Sequence, residues 1–440
     1  MRLVTSAEQP RTLPRLSRHA DFRRLWAGHS VSAVGSQVTV LAVPLCAAVL
    51  LGASAFQMGL LTAAATLPHL VVGLPAGVWV DRLPRRRPLL VAADLLAAGA
   101  LLTVPLAWWL GVLTVSQLVA VELVVGCCHV VFRPAYQSHL PDVVHREQLT
   151  MASGHLRASD SVAMLAGPGL GGLLVQAVSA PVAVVVDAIS FVVSAVCLRS
   201  VRAPERAAAA RTDADTEAHD EAHRAARSMR RELSEGLRTV LADRSLRAVA
   251  GAAANLNLFG MLVMALFVVY ATRELGFPAG LVGAVVTLGG VGALAGALLA
   301  PRVSAALGAG RTVVLASVVF SFALFAVPLA RGPRGVELAV IGGGELVGGV
   351  AVMLFDVTSA GITLTSVPTE LLGRVSSCMA FLTQGVKPLG ALAGGALGTA
   401  VGLHPALWVA AAGATTTMLW TILSPLRSHP GLPAGAGSHA

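Results

Sequence analysis

Charge is scarce in this chain. Asp, Glu, Lys and Arg make up 12% of its 440 residues, whereas soluble domains carry about 25%. That excludes an ordinary soluble protein. Lysine is nearly missing: Lys387 stands alone, and the other 31 basic residues are arginines. The arginines fall in short loops rather than on one folded basic face, so despite a net charge of +9 no nucleic-acid partner is expected. The five cysteines, Cys46, Cys127, Cys128, Cys197 and Cys378, all lie in apolar runs and none forms a C-x-x-C pair. They read as small core hydrophobes, with a redox or metal role as the lesser alternative. The chain lacks G-x-x-x-x-G-K-[ST], which excludes a P-loop engine within this polypeptide. It shows no catalytic triad and no metal-ligand cluster, so no enzyme activity, metal or cofactor is expected. No small-residue cleavage site adjoins the first 24 residues, which carry six arginines. They are expected to form a cytoplasmic arm.

What the chain has in quantity is apolar sequence: 55% of residues are hydrophobic and the mean hydropathy is +0.75. Such a surface belongs in lipid, where backbone groups must be satisfied within helices or closed barrels. The runs are about 20 residues long and do not alternate with period two, which selects helices over barrel strands. Twelve spans are expected, at roughly 25–50, 57–80, 88–110, 114–136, 150–177, 181–200, 248–272, 279–302, 311–330, 336–360, 375–400 and 404–424. The predicted fold is all-α and integral to the membrane, with two pseudo-symmetric six-helix bundles. The divisions are an arm at 1–24, bundles at 25–200 and 248–426, a linker at 201–247 and a flexible Gly/Pro/Ala-rich tail at 427–440.

With the N-terminus inside, 27 of the 31 arginines fall on the cytoplasmic side and only Arg273, Arg331 and Arg334 fall outside. That asymmetry predicts cytoplasmic N- and C-termini in a plasma membrane. In the linker, residues 203–223 read as disordered. Met229, Leu233, Leu237, Val240 and Leu241 then recur at helical spacing. They fit either a helix on the inner membrane surface or a solvated linker helix.

The second half echoes the first. Glu122-Leu123-Val124-Val125-Gly126 followed by Phe132-Arg133 is matched 223 residues later by Glu345-Leu346-Val347-Gly348-Gly349 followed by Phe355-Asp356. Gly171-Gly172 recurs at Gly394-Gly395 with the same offset. Paired halves of this kind put a binding site between them.

Several stretches carry a family resemblance. Gly77-Val78-Trp79-Val80-Asp81-Arg82, followed by Arg85-Arg86-Arg87, resembles the inner loop of the major facilitator superfamily. The fifth span, with Gly154, Ala163 and then Gly167-Pro168-Gly169-Leu170-Gly171-Gly172, resembles the antiporter motif of its drug exporters, with Ala163 where the pattern has Gly. Phe22 to Gly28, Arg133-Pro134-Ala135 with Leu140-Pro141, and Val186 to Phe191 look like its enterobactin-exporter and macrolide-efflux branch. The resemblance covers about residues 20–425. It implies a monomeric, proton-driven exporter of amphipathic small molecules, with an importer in the same fold as the alternative. It gives Asp81 and Arg82 a latching role between the halves, and Arg85 to Arg87 can equally be plain topology setters. The second copy of the loop, from Gly296 to Arg302, has Ala300 in place of the acid.

Ionisable groups inside a membrane are costly and point to function. Glu122, His129 and Arg133 share one face of the fourth span, and Glu345 and Asp356 one face of the tenth. The resemblance puts spans one, four, seven and ten around the cavity. Glu122 would then face Glu345, and Arg133 would oppose Asp356 about 16 Å deeper, at about 1.5 Å per residue. On this reading the two glutamates take up protons or bind a cation, because a low-dielectric cavity disfavours an ionised carboxylate. Arg133 and Asp356 would pair to close the cytoplasmic side.

Plainer readings stay open. Arg133 can snorkel to the interface, and each glutamate can be a structural hydrogen-bonded acid. Lys387 can pair with Glu345 or serve substrate or proton. Arg157 and Asp160, three apart, can satisfy each other. Asn255 and Asn257 can bond substrate or, as favoured here, neighbouring helices, and Gln37 of the first span joins the candidates for the substrate site. His69 is a packed histidine or a relay. Asp187 fits the branch pattern without a mechanism.

Overall fold

In a computed structural model, residues 16, 19–73, 79–80, 85–203 and 234–428 are described, and their regular structure is helical throughout. In chain order the long helices are α1 Ala20–Leu45, α2 Ala55–Val71, α3 Arg87–Trp109, α4 Val115–Val143, α5 Leu149–Ala177 and α6 Ala180–Ser200. The second set is α7 Arg244–Arg273, α8 Ala279–Leu307, α9 Ala309–Ala323 (continued by Ala326–Leu329), α10 Arg334–Ser366, α11 Thr369–Val401 and α12 Leu403–Ala414 (continued by Thr417–Ile422).

Among the described residues nine helices, α1 and α3 to α10, are long and apolar enough to cross a membrane. Three further helices, α2, α11 and α12, are consistent with the expected twelve. α2 is 17 residues long, and the chain beyond it soon leaves the described residues. α11 is long, but Gln384 and Lys387 dilute its apolar character. α12 is interrupted at Thr415 and Thr416.

Local chemistry sets the helix ends. Ser54 and Gln57 form a reciprocal capping box on α2, Thr114 caps α4, and Asp243 accepts from the Ser245 and Leu246 amides to start α7. Near the end of α1, Pro44 is followed by a π turn, Cys46–Leu50, the kind of local widening expected where proline removes a ladder hydrogen bond. Large apolar side chains point outward, Leu96 at 60% and Leu298 at 63% exposure. In water that surface would aggregate; in lipid it is the natural exterior.

The packing repeats across the halves. α1 packs on α5 and α6, and α2 on α4; correspondingly α7 packs on α11 and α12, and α8 on α10. Two seams join the halves, α2 with α11 and α5 with α8. The glycine repeat seen in the sequence builds these contacts. A Cβ at Gly171 would lie 3.2 Å from Val38 Cα on α1, and one at Gly394 would lie 3.1 Å from Leu262 Cα on α7. Their neighbours turn to the opposite half: a Cβ at Gly172 would come 2.6 Å from the Ala279 carbonyl oxygen on α8, and one at Gly395 would come 2.9 Å from the Ala55 carbonyl oxygen on α2. One Gly-Gly pair therefore makes one contact within its half and one across, twice.

The end of the linker is ordered against the second half. Residues 234–242 are helical, and Val240 is buried with Leu246, Val367, Val375 and Cys378. Glu235 forms an ion pair with Arg374. The segment docks on the start of α11 instead of lying free, because one apolar residue and one acid find partners there. Met229 and Leu233 lie outside the described residues.

Candidate functional site

The face where α1 starts and α6 ends is called here the terminal face, and the one holding the α1–α2 and α7–α8 turns the far face. At the far face the halves are clasped. The Arg273 guanidinium, ending α7, donates to the Ala48 carbonyl oxygen at 3.1 Å and the Ala53 carbonyl oxygen at 2.7 Å in the α1–α2 connection. The other two arginines assigned to this side are also engaged. Arg331 meets the His404 ring at 3.0 Å, and Arg334 donates to the Gly276 carbonyl oxygen at 3.0 Å. The exceptions to the arginine asymmetry are thus structural.

Nearer the terminal face Arg133 and Asp356 are both exposed, and no ion pair within 4.0 Å joins them or either to any described residue. The predicted Arg133–Asp356 closure is not made in this conformation. Asp356 has Lys387 of α11 as its charged neighbour, and His69 of α2 lies within electrostatic reach of Lys387 and Arg133. The expected Lys387–Glu345 pair is likewise not formed: the carboxylate near Lys387 is Asp356.

Glu345 instead presses its Oε2 against Gly289 of α8, where a Cβ would come within 2.9 Å of it. It therefore sits in the seam between α8 and α10. Glu122 and His129, part of one predicted face of α4, look toward α6: Glu122 lies within electrostatic reach of Asp187, and the His129 ring is 5.6 Å from that of Phe191. The described neighbours of each glutamate belong to its own half.

Asp187 belongs to a buried polar group that the sequence reading left without a role. Its Oδ1 accepts from Ser190 Oγ at 3.0 Å and from Ser36 Oγ of α1 at 3.4 Å. Asp94, in the middle of α3, completes it; the two aspartates are 1% and 2% exposed. Asp94 was missed, although an acid inside the apolar run 88–110 is itself the signal.

The remaining candidates resolve individually. A side chain at Gly167 would collide with Gln37, so Gln37 packs α1 onto the antiporter-like stretch of α5. Pro168, Gly167, Gly171 and Gly172 are buried, whereas a Cβ at Gly154 would meet nothing within 4 Å. Asn255 donates to Thr416 Oγ1 in the break of α12 at 2.7 Å, and Asn257 to the Ala253 carbonyl oxygen of its own helix at 2.8 Å. Asp160 meets His29 Nε2 of α1 at 2.8 Å, a contact between helices in place of the one along α5 to Arg157 that the three-residue spacing suggests. Arg86 donates to the Ser138 carbonyl oxygen on α4 and Arg87 to that of Ala203 just past α6. Asp81 and Arg82 lie outside the described residues. Among the described residues no group of three or more His, Cys, Asp or Glu could hold a metal ion.

Comparison with known proteins follows the same lines. Residues 14–432 match the major facilitator family described as transmembrane secretion effector. The chain is 30% identical over 399 residues to the multidrug efflux pump Tap of Mycolicibacterium fortuitum, covering 87% of this chain and 89% of that protein. It is 27% identical over 186 residues to macrolide efflux protein A of Streptococcus pyogenes, a match spanning 42% of this chain and only 45% of that protein. Among solved structures, a bacterial homologue of the iron transporter ferroportin in an inward-facing state superposes with a TM-score of 0.69 at 16% identity, covering 95% of this chain and all (100%) of that one. The nucleoside transporter NupG (D323A mutant) superposes with a TM-score of 0.68 at 12% identity, covering 91% and 98%. At such identities these likenesses show the fold alone. On the matched sequence and the paired six-helix architecture, the chain is a multi-pass membrane protein of the transmembrane secretion effector family of the major facilitator superfamily.

Proposed function

We propose that this protein exports an amphipathic small molecule across the bacterial plasma membrane by alternating access, as a monomeric proton antiporter needing no cofactor beyond the proton gradient. The arginine asymmetry supports assigning the terminal face, and both chain termini, to the cytoplasm. The observation that carries the reading is the contrast between the two ends. The far end is clasped across the halves by Arg273, while Arg133 and Asp356 stand exposed and apart toward the other end. Two ends in opposite condition are what one end state of an alternating carrier requires.

In the opposite state Arg133 and Asp356 approach and the Arg273 clasp opens; Asp81 and Arg82 latch the halves as the family pattern implies. Glu122 and Glu345 take and release the coupling proton. The names of the efflux relatives support export over import and make a macrolide the first compound to try. Apolar walls with a few acids suit cationic or neutral amphiphiles. The test is drug-dependent proton flux in Glu122→Gln and Glu345→Gln. We expect it to fall at least tenfold in Glu122→Gln; unchanged coupling in both variants would contradict the assignment of the glutamates. Inward transport of the macrolide in whole cells, against extrusion, would replace the exporter with an importer.

A further inference from the structure

We infer that Gln176 and Thr399 are a matched pair of caps across the halves, each holding the first turn of the facing half's seam helix, and that together they work as one gate at the far face. The first amides of a helix have no acceptor within it. In α2 and α8 the second of them is taken up from the other half. The Phe56 amide donates to Thr399 Oγ1 of α11 at 3.0 Å, and the Gly280 amide donates to Gln176 Oε1 of α5 at 3.0 Å. Neither helix supplies this acceptor itself. Ser54 Oγ serves the Gln57 amide of α2, one residue further on. At the start of α8 stands Pro278, which makes no side-chain cap.

The arrangement follows the internal repeat. Residues 176 and 399 are 223 apart, the offset of the Gly-Gly pairs, and residues 56 and 280 are 224 apart. Each cap stands four residues after a glycine that touches the same partner helix: Gly172 precedes Gln176 against α8, and Gly395 precedes Thr399 against α2. That spacing puts glycine and cap on one helix face. The glycine lets the backbones close, and the side chain one turn on reaches the amide. Gly280 must lack a side chain for this, since a Cβ there would collide with Gln176 Oε1. Thr399 Oγ1 donates its own proton to the Gly395 carbonyl oxygen at 2.9 Å, so it meets the Phe56 amide as an acceptor.

The caps are built to break and re-form. Phe56 and Thr399 are exposed, and Gln176 and Gly280 are half-buried. Water can therefore replace each acceptor when the seams part, and losing one cap shifts an equilibrium only about fivefold. Arg273 holds the Ala53 carbonyl oxygen, three residues before Phe56. The start of α2 is thus gripped from α7 and from α11 together. Within the N-terminal half α5 packs on α1 and α2 on α4; within the C-terminal half α8 packs on α10 and α11 on α7. Halves packed in this way move as bodies, so the far face opens at both seams or at neither.

The capped amides themselves report the gate. Each has its acceptor in the opposite half, so its exchange with solvent is slow only while the far face is closed. Hydrogen–deuterium exchange is followed at Phe56 and Gly280 in the full-length protein in lipid nanodiscs, by mass spectrometry with residue-resolving fragmentation. Thr399→Val and Gln176→Leu keep the bulk and lose the acceptor. Each frees its own amide directly, and the deciding readout is the amide on the other seam. Thr399→Val is expected to speed exchange at Gly280 about fivefold, and Gln176→Leu to do the same at Phe56. Thr399→Ser and Gln176→Glu keep an acceptor and should leave the distant amide slow. Should a replacement not fold, Thr399→Ala and Gln176→Ala take its place. Variants that speed only their own amide would make the caps local helix ends and overturn the gate, whatever they do to thermal stability. Exchange at the unprotected rate in the unsubstituted protein would overturn it as well. The gate's place in a transport cycle rests on the alternating-access reading above, whereas the exchange needs neither substrate nor gradient. Vesicles that transport no macrolide would count against that reading, while the two amides still decide the gate.

Discussion

Arg273 shows how one side chain can hold a state. A guanidinium donating to two backbone carbonyls makes charge-assisted hydrogen bonds, each about 1.5–3 kcal/mol. About 1.4 kcal/mol is a tenfold change in an equilibrium. Arg273→Ala should therefore raise the population opened at the far face at least about tenfold. Spin labels at Val112→Cys and Leu329→Cys, exposed on opposite halves at that end, would report a longer distance; an unchanged distribution would remove the clasp from the account. At this scale the sequence revealed residue types better than partners. Glu122, Lys387 and Asp356 were visible as ions in apolar runs. Their partners were not, because helix rotation decides whether Lys387 meets Glu345 or Asp356, and a span's sequence fixes its rotation only loosely. Asp160 pairs with His29 across two helices for the same reason.

At the scale of helices, the Gly-Gly pairs carry the argument. A leucine at Gly172 must enter space held by the Ala279 carbonyl and Gly283, and one at Gly395 must displace Ala55 and Gly59. Overpacking of this kind costs about 1–3 kcal/mol. Gly172→Leu and Gly395→Leu should lower thermal stability by similar amounts and abolish transport, since both cross-half seams must slide. Gly154, also in the antiporter-like stretch, has open space around its Cβ position. Gly154→Ala should leave thermal stability unchanged or raised by up to about 1 kcal/mol, because alanine is the better helix former. Melting curves in detergent check all three; equal losses at Gly154 and Gly172 would contradict the packing account. The repeat offset of 223 was readable because the contact needs glycine at both copies. The docking of residues 234–242 on α11 was not, because amphipathic spacing reports a buried face without naming what buries it.

For the whole molecule, architecture was the most readable level. Low charge and long apolar runs demand helices in lipid, and the internal echo demands two related halves. The structure adds how those halves meet: seams of α2 with α11 and α5 with α8, a clasped far face, and Arg133 and Asp356 unpaired at the other end. Which state the carrier occupies follows from such contacts and could not come from periodicity. The substrate depends on cavity shape in three dimensions, which a run of apolar residues does not describe. The most direct test is macrolide uptake into everted membrane vesicles from a host lacking its own pumps, with and without a protonophore. The account predicts accumulation above vesicles without this protein, abolished when the proton gradient collapses. Accumulation that survives collapse of the gradient, or flux out of energised vesicles, would contradict it.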